Sequence, residues 1–235
     1  MLRPVVLLAL LVLALPLAAA PPCKVTSARI HEEGPGWSID LRYPQLWCPG
    51  RVAAGQAFNK TVGEWARRQA SNFKQQFRET RDPNPAGTSW TLACNYEVVG
   101  QTSDVVSILI SGSDFTGGAH PNPFYETFTF HIPTGRRLGL ADLFVKGSDY
   151  LSLLSSYCTS ALLKRNLGDE KWVRDGAAPR AENYQFFYLT RKGLVVLFPP
   201  YQVAPYAAGP QKVLIPYKTL QPAWDPRGPA ASMAL

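Results

Sequence analysis

The sequence predicts an α+β domain: a mainly antiparallel β-sheet with two principal helices packed on it, in a single unit. Three observations carry this prediction. Runs alternating between apolar and polar residues cluster along the chain, as half-buried strands require. Two other segments carry apolar residues at three- and four-residue steps, the signature of a helix with one buried face. Nearly half of the 235 residues are hydrophobic and 11% are aromatic, enough to bury a core where helices cover a sheet.

The elements follow in order. Residues 1–20 read as a secretory signal peptide: Arg3 gives the positive start, Val5 to Leu15 the apolar run, and Ala18-Ala19-Ala20 the small residues of a cleavage site near 19/20. The run is shorter than the ~20 residues of a spanning helix. Lys24 to Glu33 and Trp37 to Tyr43 read as a hairpin turning at Gly34-Pro35-Gly36, with Pro44 ending the second strand. Ala53 to Arg78 is expected as a long helix, with Phe58, Val62, Trp65, Phe73 and Phe77 on one face. Such an aromatic stripe is more often the face packed on a sheet than a ligand groove. Asp82 to Gly87 is a loop, followed by strands Thr88 to Val99, Asp104 to Ser111 and Phe124 to Ile132. A second helix runs from Ser148 or Asp149, its N-cap, to about Asn166, with Leu151, Leu154, Cys158 and Leu162 in one stripe. Gly168 to Glu182 reads as a polar surface loop, and Tyr184 to Thr190 with Gly193 to Phe198 as a hairpin. Lys212 to Ile215 is a short last strand, and the Pro- and Ala-rich residues 221–235 are expected to form a flexible tail beyond a domain of residues 23–220.

Cys23, Cys48, Cys94 and Cys158 are even in number and lie beyond the leader, as an oxidising compartment requires. Cys23 and Cys48 bracket the first hairpin, which brings them within disulfide reach; this leaves Cys94 to meet Cys158. The formal charge of +7 is spread over separate elements. A nucleic-acid binder would gather it on one face. The expectation is a solvated surface with mild attraction for anionic polymers or acidic proteins.

The most specific stretch is Asp114 to Asn122, which holds Gly117-Gly118, His120 and Pro121 between two strand-like runs. Glycine tolerates positive φ, so the pair turns the chain where a side chain would clash. Glu126 interrupts the apolar face of the next strand and is expected to point toward the same cavity. Tyr201 and Tyr206, among prolines, make a stiff aromatic loop suited to protein or sugar surfaces. The binding surface is therefore expected to include Gly117, Gly118, His120, Asn122, Glu126, Tyr201 and Tyr206.

Catalytic signals are weaker. The histidines are His31, His120 and His131, with no metal-ligand spacing, so neither a metal nor a cofactor is expected. No Gly-x-Ser-x-Gly elbow is present. Asp114, His120 and Glu126 are the candidates for acid–base work in an alternative reading, a hydrolase of envelope polysaccharide. The competing role for His120 is a ring that hydrogen-bonds backbone and pins its loop.

With these elements in place, the chain resembles a family of exported bacterial proteins. Ile39-Asp40-Leu41-Arg42-Tyr43-Pro44, Phe58-Asn59-Lys60, Val106-Ser107-Ile108 and Gly117-Gly118-Ala119-His120-Pro121 are similar to its first half. Phe130 to Phe144, Asn183 to Phe198 and Ala204 to Pro210 are similar to its second. That family includes the extracytoplasmic part of the anti-sigma factor RsiV, a region N-terminal to the catalytic domain of some peptidoglycan deacetylases, and a secreted immunogenic mycobacterial antigen. The resemblance implies one α+β unit in the envelope or outside the cell and, for RsiV-like members, binding of lysozyme. A sigma-binding segment, a membrane helix and a deacetylase catalytic domain are all missing from this sequence, so signalling and deacetylation are not expected of it. The resulting expectation is an exported, periplasmic or secreted, non-catalytic binding module. Its partner would be a lysozyme-like hydrolase or a peptidoglycan fragment, with a secreted effector or antigen as a further alternative.

Overall fold

A computed structural model describes residues 22–80 and 87–235. The expected signal peptide and most of the Asp82–Gly87 loop lie outside the described residues. The fold class is the predicted one, α+β with mostly antiparallel pairing, but its strands divide into a six-stranded and a three-stranded sheet.

The larger sheet begins with the hairpin β1 (Lys24–Gly34) and β2 (Trp37–Trp47), paired throughout from Gly34–Trp37 to Lys24–Trp47. Pro44 does not end β2, contrary to expectation, and stands opposite Ser27. The pairing of β2 with its other neighbour, β3 (Trp90–Gln101), stops at Leu41 and Cys94. Pro44 therefore lies where β2 has only one partner strand, and edge positions tolerate proline. The β2–β3 pair is parallel, so its connection must cross over, and the helix α1 (Val52–Glu79) makes the crossing. The sheet continues antiparallel through β4 (Val105–Phe115), β5 (Asn122–His131) and the two-residue β6 (Arg136–Arg137).

The aromatic stripe of α1 is core. Phe58 meets Phe130 edge-on at 5.3 Å, Trp65 meets Phe128 at 6.1 Å, and Phe73 meets Trp90 at 6.0 Å. Ile39, Leu41, Ile108 and Ile110 fill the layer beneath them. A disulfide joins Cys23 to Cys48 across the open end of the hairpin. It closes a loop with a sequence separation of 25, and in the chain-entropy picture this removes about 3.5 kcal/mol of unfolded-state freedom.

The second expected disulfide is absent: Cys94 and Cys158 are buried free thiols. Cys94 lies in the core between the large sheet and α1, whereas Cys158, on the helix α2 (Tyr150–Leu163), lies in a separate core. Elimination by counting could not see that the two cysteines fall in different cores. The second core gathers Leu154, Cys158 and Leu162 of α2 against the small sheet of β7 (Phe187–Thr190), β8 (Gly193–Phe198) and β9 (Gln211–Pro216). Asp149 caps α2 as predicted, accepting from the Ser152 N–H.

The two sheets are stitched by polar groups as well as by packing. Ser107 Oγ lies 3.0 Å from Thr129 Oγ1 inside the large sheet, and accepts from the Leu189 N–H of β7 at 2.9 Å. A Cβ on Gly100 would stand 2.3 Å from the Leu189 carbonyl oxygen, so glycine is what lets β3 approach β7 so closely.

Two further expectations are corrected. The stretch read as a loop from Gly168 to Glu182 contains a short helix, α3 (Glu170–Gly176), N-capped by Asp169. Residues 221–235, read as a flexible tail, are packed. The chain turns through α4 (Tyr217–Leu220), after which Ala223, Trp224, Ala230 and Met233 are buried in the second core. Ser232 bonds Thr102, and its carbonyl accepts from Arg191. Proline and alanine set the composition of the segment, but a few large apolar side chains decide its fate. Burying one such side chain is worth roughly 1.5–3 kcal/mol.

Candidate functional site

The site is built on the β4–β5 hairpin. Asp114 pairs with Asn122 at the last rung of that ladder, so the connecting loop is short, and the Asn122 side chain donates to Asp114 Oδ2 at 3.2 Å. Gly117 takes a φ of 87°, the left-handed region that glycine favours. Gly118 is exposed, with open space where its Cβ would sit. Only the first glycine of the pair is therefore demanded by the turn.

The loop presents His120, exposed, with Nδ1 3.1 Å from the Pro121 carbonyl oxygen. A carbonyl only accepts, so Nδ1 is the donor in this contact, and in the neutral ring Nε2 is then the acceptor. The ring stacks on Tyr206, with centroids 4.0 Å apart and planes 22° from parallel. The Tyr206 hydroxyl donates to the same Pro121 carbonyl at 2.9 Å. Tyr201 lies beside Tyr206, with centroids 5.8 Å apart. The two stretches singled out in the sequence, 85 positions apart at this bond, thus meet in one row of rings.

Tyr201 is unusual on its own account. It is 59% exposed and holds a φ of 70°, a conformation that costs a non-glycine residue about 1–2 kcal/mol. Its surroundings fix it there. The Tyr201 N–H donates to the Ala204 carbonyl at 2.9 Å, and its own carbonyl accepts from Trp172 Nε1 at 2.9 Å. The next side chain, Gln202, donates to the carbonyls of Gly176 and Asn183, both at 2.9 Å. Trp172 and Gly176 belong to α3, so the helix missed in the sequence is what positions the tyrosine loop. Seven residues are too few for a periodic signal; the Asp169-Glu170 start was the only local cue.

Glu126 does not join the loop. Arg137 Nη2 donates to its Oε1 at 2.7 Å and to the Thr127 carbonyl at 2.6 Å, while the Arg137 guanidinium lies 4.5 Å from the centre of the Phe128 ring. Glu126, Arg137, Leu138, Gln185 and Phe186 line an open groove of about 640 Å³ where β5 and β6 face the approach to β7. Tyr125, also in its wall, links groove and rings. Burial pushes its phenol above the usual range, and the neighbouring Tyr206 adds to that shift. Sequence reasoning passed over Tyr125 because alternation assigned it simply to the face opposite Glu126.

Asp114, His120 and Glu126 thus have separate partners, Asn122, Tyr206 and Arg137 respectively. Among the described residues, no cluster of three or more His, Cys, Asp or Glu side chains is arranged to hold a metal ion. The thiols of Cys94 and Cys158 are both pushed up to about 12 by burial, so neither supplies a thiolate near neutral pH. What the surface offers chemically is flat aromatic area, an exposed imidazole, and a polar groove alongside.

A two-sheet α+β domain with a ring stack beside an open groove is the class this geometry defines. Residues 30–123 match the family described as deacetylase PdaC, and residues 141–218 match a protein family of unknown function, DUF3298. The resemblance read from the motifs is thereby found in both halves of the chain. The chain is 25% identical over 195 residues to the peptidoglycan-N-acetylmuramic acid deacetylase PdaC of Bacillus subtilis, covering 81% of this chain and 40% of that protein. It is 29% identical over 100 residues to the immunogenic protein MPT64 of Mycobacterium tuberculosis, covering 43% of each. It therefore spans less than half the length of these curated relatives. Among solved structures, a DUF3298 family member from Bacteroides fragilis superposes with a TM-score of 0.64 at 16% identity, covering 86% of this chain and 94% of that one. Another, from Pseudomonas aeruginosa, gives 0.62 at 20% identity, covering 87% and 94%. Both share the fold.

Proposed function

We propose that this chain is an exported, non-catalytic binding module of the cell envelope, and that its ring stack holds the glycan of peptidoglycan. The observation that carries this reading is the junction at Pro121, whose carbonyl ties the exposed His120 and the half-buried Tyr206 into one aromatic row. Sugar rings have apolar C–H faces flanked by hydroxyl and amide groups. A row of rings takes the faces, while imidazole Nε2 and the groove beside Tyr125 take polar substituents. Tyr201, held at positive φ with its ring exposed, fits a position kept for contact rather than for stability. The naming of peptidoglycan in one relative supports the ligand class. The separate engagement of Asp114, His120 and Glu126 supports binding without chemistry. Export rests on the leader-like residues 1–20, which lie outside the described residues.

The test is biolayer interferometry of the oxidised protein against soluble peptidoglycan fragments, with a lysozyme in parallel and products followed by mass spectrometry. Saturable binding of intact fragments, weakened ~5-fold or more by Tyr206→Ala, is expected, since losing a stacked ring costs on the order of 1 kcal/mol or more. Fragment cleavage would overturn the non-catalytic reading in favour of a hydrolase. Binding to lysozyme alone, lost in the same variant, would give the surface to a protein partner instead.

A further inference from the structure

On the opposite side of the large sheet, the solvent face of α1 carries Lys60, Arg67, Arg68 and Arg78, all exposed. At 100° per residue, Lys60, Arg67 and Arg78 fall within about 20° of one line along the helix, and that line runs for about 27 Å. Lys74 lies about 40° from the farther of these positions, and its ammonium is held by Glu32 at 2.6 Å. The acidic residues on the helix are Glu64, beside the line, and Glu79, which accepts from Gln75. Among the described residues, none of Lys60, Arg67 and Arg68 makes an ion pair. Elsewhere Arg29, Arg51, Arg136, Arg137 and Arg174 are paired with carboxylates, while Arg42, Lys146, Lys192 and Lys218, like the helix cations, make no ion pair among the described residues. What distinguishes this helix is that Lys60, Arg67 and Arg78 share one line along a single element.

From this arrangement we infer that the outer face of α1 docks a linear polyanion, a chain of phosphate groups on a flexible backbone. The buried aromatic stripe makes the helix a rigid rod on the sheet, so its cations are presented at fixed intervals. Arginine matches phosphate through two parallel N–H donors, and lysine adds a point charge. An extended row matches a polymer better than a single small anion, because successive charges engage together and release counterions together. The site lies on a different face of the sheet from the ring stack and does not depend on the glycan reading.

The test is fluorescence anisotropy with labelled inorganic polyphosphate of defined length, titrated with the folded protein at several salt concentrations. The expected result is binding that weakens with salt, the logarithmic slope being roughly 2 to 3 for three or four phosphate contacts. The triple variant Lys60→Gln, Arg67→Gln, Arg78→Gln should lose affinity by ~10-fold or more, with its thermal midpoint unchanged. A control removing the exposed Lys146, Lys192 and Lys218 should lose far less. Equal losses in the two triple variants would make the effect net charge alone and overturn the assignment. So would wild-type affinity in the α1 variant, or binding to phosphatidylglycerol vesicles without binding to polyphosphate, which would give the face to a membrane surface.

Discussion

Replacing Tyr201 by glycine and, separately, by alanine isolates the backbone contribution of the tyrosine loop. Both variants remove the ring, its contact with Tyr206 and its exposed area, so these terms cancel in the comparison. What differs is the fit to a φ of 70°. The bonds to Ala204 and Trp172 hold the residue from both sides, so an alanine there cannot relax without breaking one of them. Left-handed backbone costs an alanine about 1–2 kcal/mol and costs glycine almost nothing. Glycine gives back roughly 0.5–1 kcal/mol through its greater unfolded-state freedom. The balance makes Tyr201→Gly more stable than Tyr201→Ala by on the order of 0.5–1 kcal/mol, the reverse of the order at an ordinary position. In a domain of this size that is a difference of about 1–4 °C in thermal midpoint, or a measurable shift in urea midpoint at equal slope. Both variants should bind peptidoglycan fragments equally poorly. Alanine equal to or more stable than glycine would refute the claim that the residue is held in a strained conformation for its side chain's sake.

Three further outcomes are expected. Thiol titration without reductant should find no reactive cysteine in the folded protein and two, Cys94 and Cys158, after unfolding; none after unfolding would restore the pairing that the two separate cores exclude. Burial raises the phenols of Tyr184 and Tyr217 above their unfolded value of 10.0. Their contribution is therefore intact below that pH and is lost as pH rises toward the folded values, so urea midpoints should fall above pH ~10, and fall less steeply in Tyr184→Phe and Tyr217→Phe. An alkaline slope unchanged by either variant would contradict this. Trp224→Ala should cost about 3–5 kcal/mol by thermal or urea unfolding, whereas a flexible tail would give no measurable loss.

Much of the architecture could be read from long patterns. The α1 stripe from Phe58 to Phe77 and the alternation through Trp37 to Tyr43 each repeat often enough to state which face is buried. Short or non-local features could not be read this way. Nothing local in Pro44 tells that the pairing of its strand with β3 stops at Leu41, leaving an edge where proline fits. Nothing in Phe187 to Ile215 tells that these strands form their own sheet, and without that division Cys94 and Cys158 look like natural partners. The candidate site was legible in halves. Gly117 and His120 stand out between strands, and Tyr201 and Tyr206 stand out among prolines, but their meeting depends on α3 and on a bond spanning 85 positions. Glu126 was drawn toward the loop by its place on an apolar face, yet Arg137 on the neighbouring strand claims it.

The most direct test of the central claim is co-sedimentation of the folded protein with purified, insoluble peptidoglycan, comparing wild type with Tyr206→Ala and with His120→Ala. The account predicts saturable sedimentation of the wild type, loss in both variants, and retention of their folded circular dichroism spectra. Wild-type sedimentation in both folded variants, or no sedimentation of the wild type at all, would contradict it.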